Sequence, residues 1–263
     1  MTIVLISAAA YLMAAALLVE GVRRNDEAGR SRNWLAPAIV AAVLHASMHL
    51  LASRGSGGAD LHFFAALSLV GLGMALLTTA VGASGRMAAL GVVVFPLAAL
   101  TVLGYRLHGH VPALDLDWRL LLHAWLALLA YATLAIAALL AIMSWLQERA
   151  LRRRQLHPWL RALPPLVELE TLLFRTVTAG FVLLSAALLT GALFVEDLLA
   201  QHLVHKTVLS VVSWLAFAAL LIGRWRLGWR GSVAVRWTLV AMALLLLAVF
   251  GSKFVLELVL QRP

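Results

Sequence analysis

The segment EDLLAQHLVHKT, residues 196–207, is the most polar break in the second half of a chain that is 63% hydrophobic. A tight turn between two apolar segments normally uses Gly, Pro, Asn or Ser. This segment instead carries two acids, two histidines and a lysine, which are Glu196, Asp197, His202, His205 and Lys206. Imidazoles bind metal ions and haem iron, and carboxylates orient them by accepting the second ring proton. The segment therefore has the composition of a ligand site.

Other histidines have spacings that suit the same chemistry. His45 and His49 are four residues apart and share one face of a helix, and His202 and His205 share a face if a helix begins early. Such spacing lets neutral imidazoles converge on a metal or a porphyrin iron, and it suits hydrogen bonds between helices equally well. Because the chain has no cysteine, thiolate metal sites and covalent haem attachment are excluded. A metal would need His, carboxylate or Met ligands.

The elements that position these residues are apolar helices. Only 13% of the 263 residues are charged, which is typical of a polytopic membrane protein. A helix of about 20 residues crosses a bilayer. We predict an all-α bundle of about eight transmembrane helices forming a single domain over residues 1–263. The predicted spans are 3–20, 35–53, 62–82, 87–104, 119–145, 176–194, 207–223 and 233–258.

The distribution of basic residues predicts the orientation of this bundle. Of the 21 Lys and Arg residues, 15 fall in one set of alternate connections. The positive-inside rule places that set in the cytoplasm, so both termini face outward. The net charge of +9 thus indicates topology and not nucleic-acid binding. The longest connection has Leu residues at helical spacing, and we predict an interfacial helix there, broken at Pro164–Pro165.

With this topology, eight of the nine histidines lie toward the outer face, and only His157 lies on the cytoplasmic side. At about 1.5 Å per residue, His49 and His123 each lie about 6 Å below the outer boundary, and His205 lies at it. These three imidazoles could meet in one layer, with His45 about 12 Å deep. A hydrogen bond to Ser or to a backbone carbonyl is an equally good explanation for His45. Glu196, Asp197 and Lys206 could also be only the polar ends of two spans.

The second half of the chain resembles a known family. The relevant segments are LLHAWLALLAYATLAIAALLAIM at 121–143, LETLLFRTVTAGFVLLSAALLTGALF at 169–194, HKTVLSVVSWLAFAALL at 205–221, GWRGSVAVRW at 228–237 and FGSKFVLELVL at 250–260. In this order they resemble the cytochrome c assembly superfamily, the haem-handling membrane proteins of the CcsA, CcmC and CcmF type, and in particular its HemX-like and YpjD-like inner membrane branch.

This resemblance implies haem b held near the outer face by histidines. His123 matches the family's outer-face histidine in the pattern H-x-x-x-x-x-L-x-Y, and Tyr131 completes that pattern. Where haem-delivering members carry a Trp-rich segment, this chain has AQHLVHKT, with no Trp before Trp214. The resemblance therefore implies His123 as an axial ligand, and depth, spacing and loop position make His49, His205, His202 and His45 the other candidate ligands. Glu196, Asp197, Lys206 and Tyr131 would support the ligands.

Three functions follow from these observations. The first is a non-enzymatic haem-binding protein of the bacterial inner membrane that assists cytochrome c assembly or haem handling. Its partners would be the lipid bilayer and other cytochrome assembly or membrane proteins. The second is a divalent-cation handling or efflux-accessory protein, in which the outer His and carboxylate cluster binds a transition metal without porphyrin. The third is a structural or regulatory subunit without a ligand.

Overall fold

The computed structural model describes residues 1–23, 32–56, 58, 60–83, 88–108, 117–154, 164–194, 204–251 and 253–254. Within these residues it is all-helical. The helices are α1 (Thr2–Arg23), α2 (Leu35–Ser56), α3 (Phe63–Gly82), α4 (Gly91–His108), α5 (Trp118–Arg152), α6 (Leu166–Phe194), α7 (Val204–Leu227) and α8 (Gly231–Leu246). A π-helical turn, Leu247–Gly251, extends α8. Eight helices, counted over the described residues, are long and apolar enough to cross a membrane, which confirms the predicted fold class.

The chain divides into two compact units. The first comprises residues 1–115 and 149–165, and the second comprises residues 116–148 and 166–263. Helices α1 to α4 belong to the first unit, most of α5 belongs to the second, and α6 to α8 complete the second. The single domain over residues 1–263 and the outward position of the termini remain predictions from the sequence.

Small residues let the helices of the first unit approach closely. Helix α1 packs against α2 and α4, and α3 packs against α4. Ala14, Ala38, Ala41 and Ala98 are completely buried in these contacts. Since lipid tails are as apolar as leucine, close packing of small residues and interhelical hydrogen bonds are what hold membrane helices together.

The second unit is built around α7, which packs against α6 and α8. Helix α7 ends at Leu227, and the connection to α8 uses Gly228 and Gly231 at φ values of 66° and 54°. Side chains rarely adopt this left-handed conformation, so glycine is the residue that ends a helix this way. The turn folds the Trp229 indole back over Gly223, where an added Cβ would collide with the ring.

Two predicted elements differ from the structure. Helix α5 reaches Arg152 and has 35 residues, so it continues past the predicted end of span 5 at residue 145. Helix α6 begins at Leu166, directly after Pro164–Pro165, and runs without interruption to Phe194. The prolines directly precede α6, where proline is tolerated because its missing N–H is not needed ahead of the first turn. Residues 155–163 of the predicted interfacial helix lie outside the described residues. The leucines of this region after Pro165 belong to α6 itself.

Candidate functional site

His123 lies in the first two turns of α5 and is tied to α6. Its Nδ1 lies 2.9 Å from the main-chain oxygen of Ala187 and 3.3 Å from Thr190 Oγ1. A carbonyl oxygen can only accept, so Nδ1 carries the proton and donates it to Ala187. The neutral ring then keeps its lone pair on Nε2, the state in which histidine binds a metal. The backbone of α6 thus fixes both the tautomer and the orientation of the ring.

Gly191, in the last turn of α6, leaves room for this imidazole. A Cβ at that position would lie 3.0 Å from His123 Cε1 and 3.3 Å from Nδ1. Those distances are shorter than ordinary van der Waals contact, so a larger residue would displace the ring. The position of the His123 ring is therefore set by the Ala187 carbonyl on one turn of α6 and by Gly191 on the next turn.

A tryptophan on α7 is held equally firmly. Trp214 Nε1–H donates to Ser185 Oγ at 2.8 Å, and Ser185 in turn donates to the Phe181 carbonyl at 2.8 Å. The indole stacks on the Phe181 ring, with centroids 5.4 Å apart and planes 20° apart. With both its polar atom and one face engaged by α6, the indole has a defined position.

His123 and Trp214 line the same cavity, which has a volume of about 570 Å³. Small-molecule sites in proteins commonly measure about 300–1,000 Å³ and combine an apolar lining with a few polar groups. Helices α5, α6 and α7 and the π-helical turn all contribute to this lining. The lining residues are His123, Ser185, Leu188, Leu189, Gly191, Ala192, Lys206, Thr207, Ser210, Val211, Trp214 and Val249.

The other predicted site residues of the second unit lie in different places. His205 is exposed and is not among the residues that line the cavity, although its neighbour Lys206 is. Tyr131 is buried, and its hydroxyl donates to the Leu245 carbonyl at 2.6 Å, which ties α5 to α8 just before the π-helical turn. Glu196, Asp197 and His202 lie outside the described residues.

The first unit places His45 and His49 in a polar network between helices. His45 is fully buried, with Nδ1 3.3 Å from the Tyr11 hydroxyl and Nε2 2.8 Å from Ser68 Oγ. His49 Nε2 lies 3.0 Å from the same Ser68 oxygen. Each of the three hydrogen bonds has one donor and one acceptor if Tyr11 donates to His45, His45 donates to Ser68, and Ser68 donates to His49. Both ring nitrogens of His45 are engaged, which is the interhelical role that the sequence offered as an alternative.

The carboxylate of Asp60 forms a second group of polar contacts in the first unit, and Tyr105 joins it to His49. Asp60 lies 2.5 Å from His62 Nδ1, and it also accepts bonds from the His62 main-chain N–H at 3.3 Å and from the Tyr105 hydroxyl at 3.2 Å. Burial favours the neutral acid, but the bonds from His62 and Tyr105 outweigh it and lower the pKa of Asp60. The Tyr105 ring stacks on His49 at 4.6 Å. Sequence reasoning missed Asp60, Tyr105 and Ser68, although an acid two residues before a histidine was visible.

The two candidate ligands, haem and a divalent metal ion without porphyrin, need different arrangements of side chains. Across that part of the chain, no group of three or more His, Asp and Glu side chains is arranged to hold a metal ion. Haem suits an apolar cavity with an axial ligand for its iron, and a neutral imidazole is one of the side chains that supply it. The cavity of the second unit has an apolar lining, a fixed indole and an oriented His123, so these residues fit haem.

Over its described residues the protein is an all-helical, polytopic membrane protein in which a histidine oriented by a main-chain carbonyl lines an apolar cavity. The chain belongs to the cytochrome c assembly protein family, whose family model matches residues 32–260. This confirms the resemblance seen in the sequence and extends it to most of the first unit.

Individual relatives support the same assignment. The chain is 31% identical to the inner membrane protein YpjD of Escherichia coli, over 97% of this chain and 98% of that one. It is 28% identical to the protein HemX of Brevibacillus brevis, over 50% and 49% of the two chains. It is 27% identical to the cytochrome c biogenesis protein CcsA of Prochlorococcus marinus, over 55% and 53%. No solved structure matches the chain. With its eight membrane-length helices, the chain is a multi-pass inner membrane protein of this family.

Proposed function

We propose that this protein binds haem b in the cavity of its second unit, with His123 as an axial ligand, and assists cytochrome c assembly or haem handling without being an enzyme. The observation that carries the proposal is the bond from His123 Nδ1–H to the Ala187 carbonyl at 2.9 Å. That bond leaves Nε2 as the nitrogen with a lone pair, on a residue that lines a cavity of about 570 Å³. Membership of the family agrees with this role.

The surrounding residues favour a porphyrin as the ligand. A macrocycle gains free energy from apolar walls and from stacking on an aromatic ring, and Trp214 offers a positioned indole in a chain without the Trp-rich segment. Haem, when bound, would supply an iron centre whose potential depends on its axial ligands and on the polarity around it. Other cytochrome assembly proteins of the membrane are the partners we propose.

The test compares His123→Ala with His108→Ala in the purified full chain, after expression with added haem precursor. His108 is a matched control, because its Nδ1 also donates to a main-chain carbonyl, that of Gly104 at 3.0 Å, but the side chain is exposed and belongs to the first unit. We expect His123→Ala to lose most of the reduced-minus-oxidised haem signal per folded protein. His108→Ala should keep that signal.

Exogenous imidazole separates ligation from folding. If His123 is an axial ligand, adding imidazole to His123→Ala should restore the absorption spectrum, since the small molecule can occupy the vacated position on the iron. A variant that had merely misfolded would not respond. A full, unshifted spectrum in His123→Ala would reject the assignment, and a wild-type protein without haem under these conditions would reject the function.

A further inference from the structure

We propose that Lys206 is a specificity-determining residue of this cavity, and that its ammonium binds a carboxylate of a porphyrin with free propionate groups. This inference rests on the proposed haem function and names the form of ligand that the site prefers. Among the described residues that line the cavity, Lys206 is the only charged side chain. Lys206 is half-buried in a mostly apolar lining, and a cationic side chain there favours an anionic group on the ligand.

The surroundings of Lys206 suit an anion. The residue lies in the first turn of α7, and Thr207 and Ser210 line the cavity beside it with their hydroxyl groups. The ammonium and the two hydroxyls thus supply hydrogen-bond donors to the lining of the cavity.

Trp214, the aromatic residue of α7 that lines the cavity, lies further along the same face of the helix. Lys206, Ser210 and Trp214 follow one another at four-residue spacing, and all three line the cavity. At about 1.5 Å per residue, Lys206 and Trp214 are separated by about 12 Å along the helix axis. One face of α7 therefore carries the ammonium of Lys206 at one end and the indole ring of Trp214 at the other. The matching ligand is flat and apolar, with a carboxylate at its edge, which describes a porphyrin carrying propionates.

A lysine near the end of a membrane helix has a simpler role in many proteins, where it reaches to the interface and anchors the helix. That role predicts no dependence on the chemistry of the ligand. The two roles are therefore distinguished by changing the carboxylates of the ligand, with the protein held constant, and then changing Lys206.

The experiment uses the full chain, purified without haem in detergent micelles, and titrates it with iron protoporphyrin IX or with the dimethyl ester of the same compound. Binding is followed by the Soret absorption. The variants are Lys206→Met, which keeps the length of the side chain without its charge, and Lys206→Arg, which keeps the charge. Lys253→Met is the matched control, because Lys253 is the only other lysine in the sequence and does not line the cavity.

We expect the wild type to bind the free acid about 10- to 100-fold more tightly than the ester, the ratio that one charge-assisted hydrogen bond provides. Lys206→Met should bind both compounds alike, at the affinity of the ester. Lys206→Arg and Lys253→Met should retain the preference. If the wild type binds both compounds equally, or if Lys206→Met keeps the preference, the inference is wrong while the haem function stands. If the wild type binds neither compound, the haem function itself fails.

Discussion

Replacing Ser68 with alanine should destabilise the first unit strongly for so small a change. The Ser68 hydroxyl is completely buried and lies 2.8 Å from His45 Nε2 and 3.0 Å from His49 Nε2. Leaving a buried polar atom without its partner costs about 1–3 kcal/mol. His45 is fully buried and carries the full penalty, whereas the half-buried His49 carries part of it. We therefore expect a loss of about 2–4 kcal/mol in the free energy of opening the first unit.

The absence of cysteine provides the assay. A single thiol introduced as Ala98→Cys, at a completely buried position of α4, becomes reactive only when the first unit opens. When closing is faster than labelling, the labelling rate follows the population of the open form. A loss of about 2–4 kcal/mol should then raise the labelling rate about 30- to 700-fold.

Ser53→Ala is the matched control for this change. Ser53 makes a solvent-exposed bond to the Leu50 carbonyl of its own helix at 3.0 Å, so its loss should alter the labelling rate by no more than about threefold. If Ser68→Ala labels as slowly as Ser53→Ala, the two imidazoles do not depend on Ser68 in the folded protein. The hydrogen bonds of His45 would then not stabilise the packing of the helices in the first unit.

Three further changes test other parts of the structure. Gly180→Ala should destabilise the second unit by about 1–2 kcal/mol, because the new Cβ would lie 2.5 Å from a leucine methyl of α5, whereas Gly21→Ala meets nothing within 4 Å and should be neutral or stabilising; thermal unfolding in micelles compares them. Asp60→Asn should be destabilising at pH 7. Because the folded pKa of Asp60 is lowered, its contribution is present above its unfolded pKa of about 3.9 and is lost as pH falls through the folded pKa, so the two proteins should converge in acid. A reporter active only outside the cytoplasm should be inactive when fused after Arg154 and active at the C-terminus, and the reverse result would invert the predicted orientation.

The sequence predicted the number and type of elements because apolar length alone decides whether a helix can cross a bilayer. It predicted the ends less well. Helix α5 continues past residue 145 through QERALR, where polar residues with good helix propensity extend the helix beyond its apolar part. Composition locates the membrane-spanning part of a helix, but hydrogen bonding and capping decide where the helix stops.

The candidate site was predictable only in part, and α7 shows why. His205 and Lys206 are adjacent, and successive residues of a helix differ by about 100° in direction. The rotation of α7 that brings Lys206 to the cavity leaves His205 exposed, and that rotation is set by packing on α6 and α8. His123 could be chosen from the family pattern. Its partner, the Ala187 carbonyl, has no signature in a sequence because every residue has a carbonyl.

The π-helical turn at Leu247–Gly251 has a consequence for chain length. A π turn bonds each residue to the fifth along instead of the fourth, so the helix accommodates one residue more than an α-helix would. Removing one residue from this turn would convert it to ordinary α-helix, because the wider turn accommodates that extra residue. Val249, on the cavity wall, lies within the turn. The cavity wall at Val249 therefore depends on the number of residues in this turn as well as on the type of residue at that position.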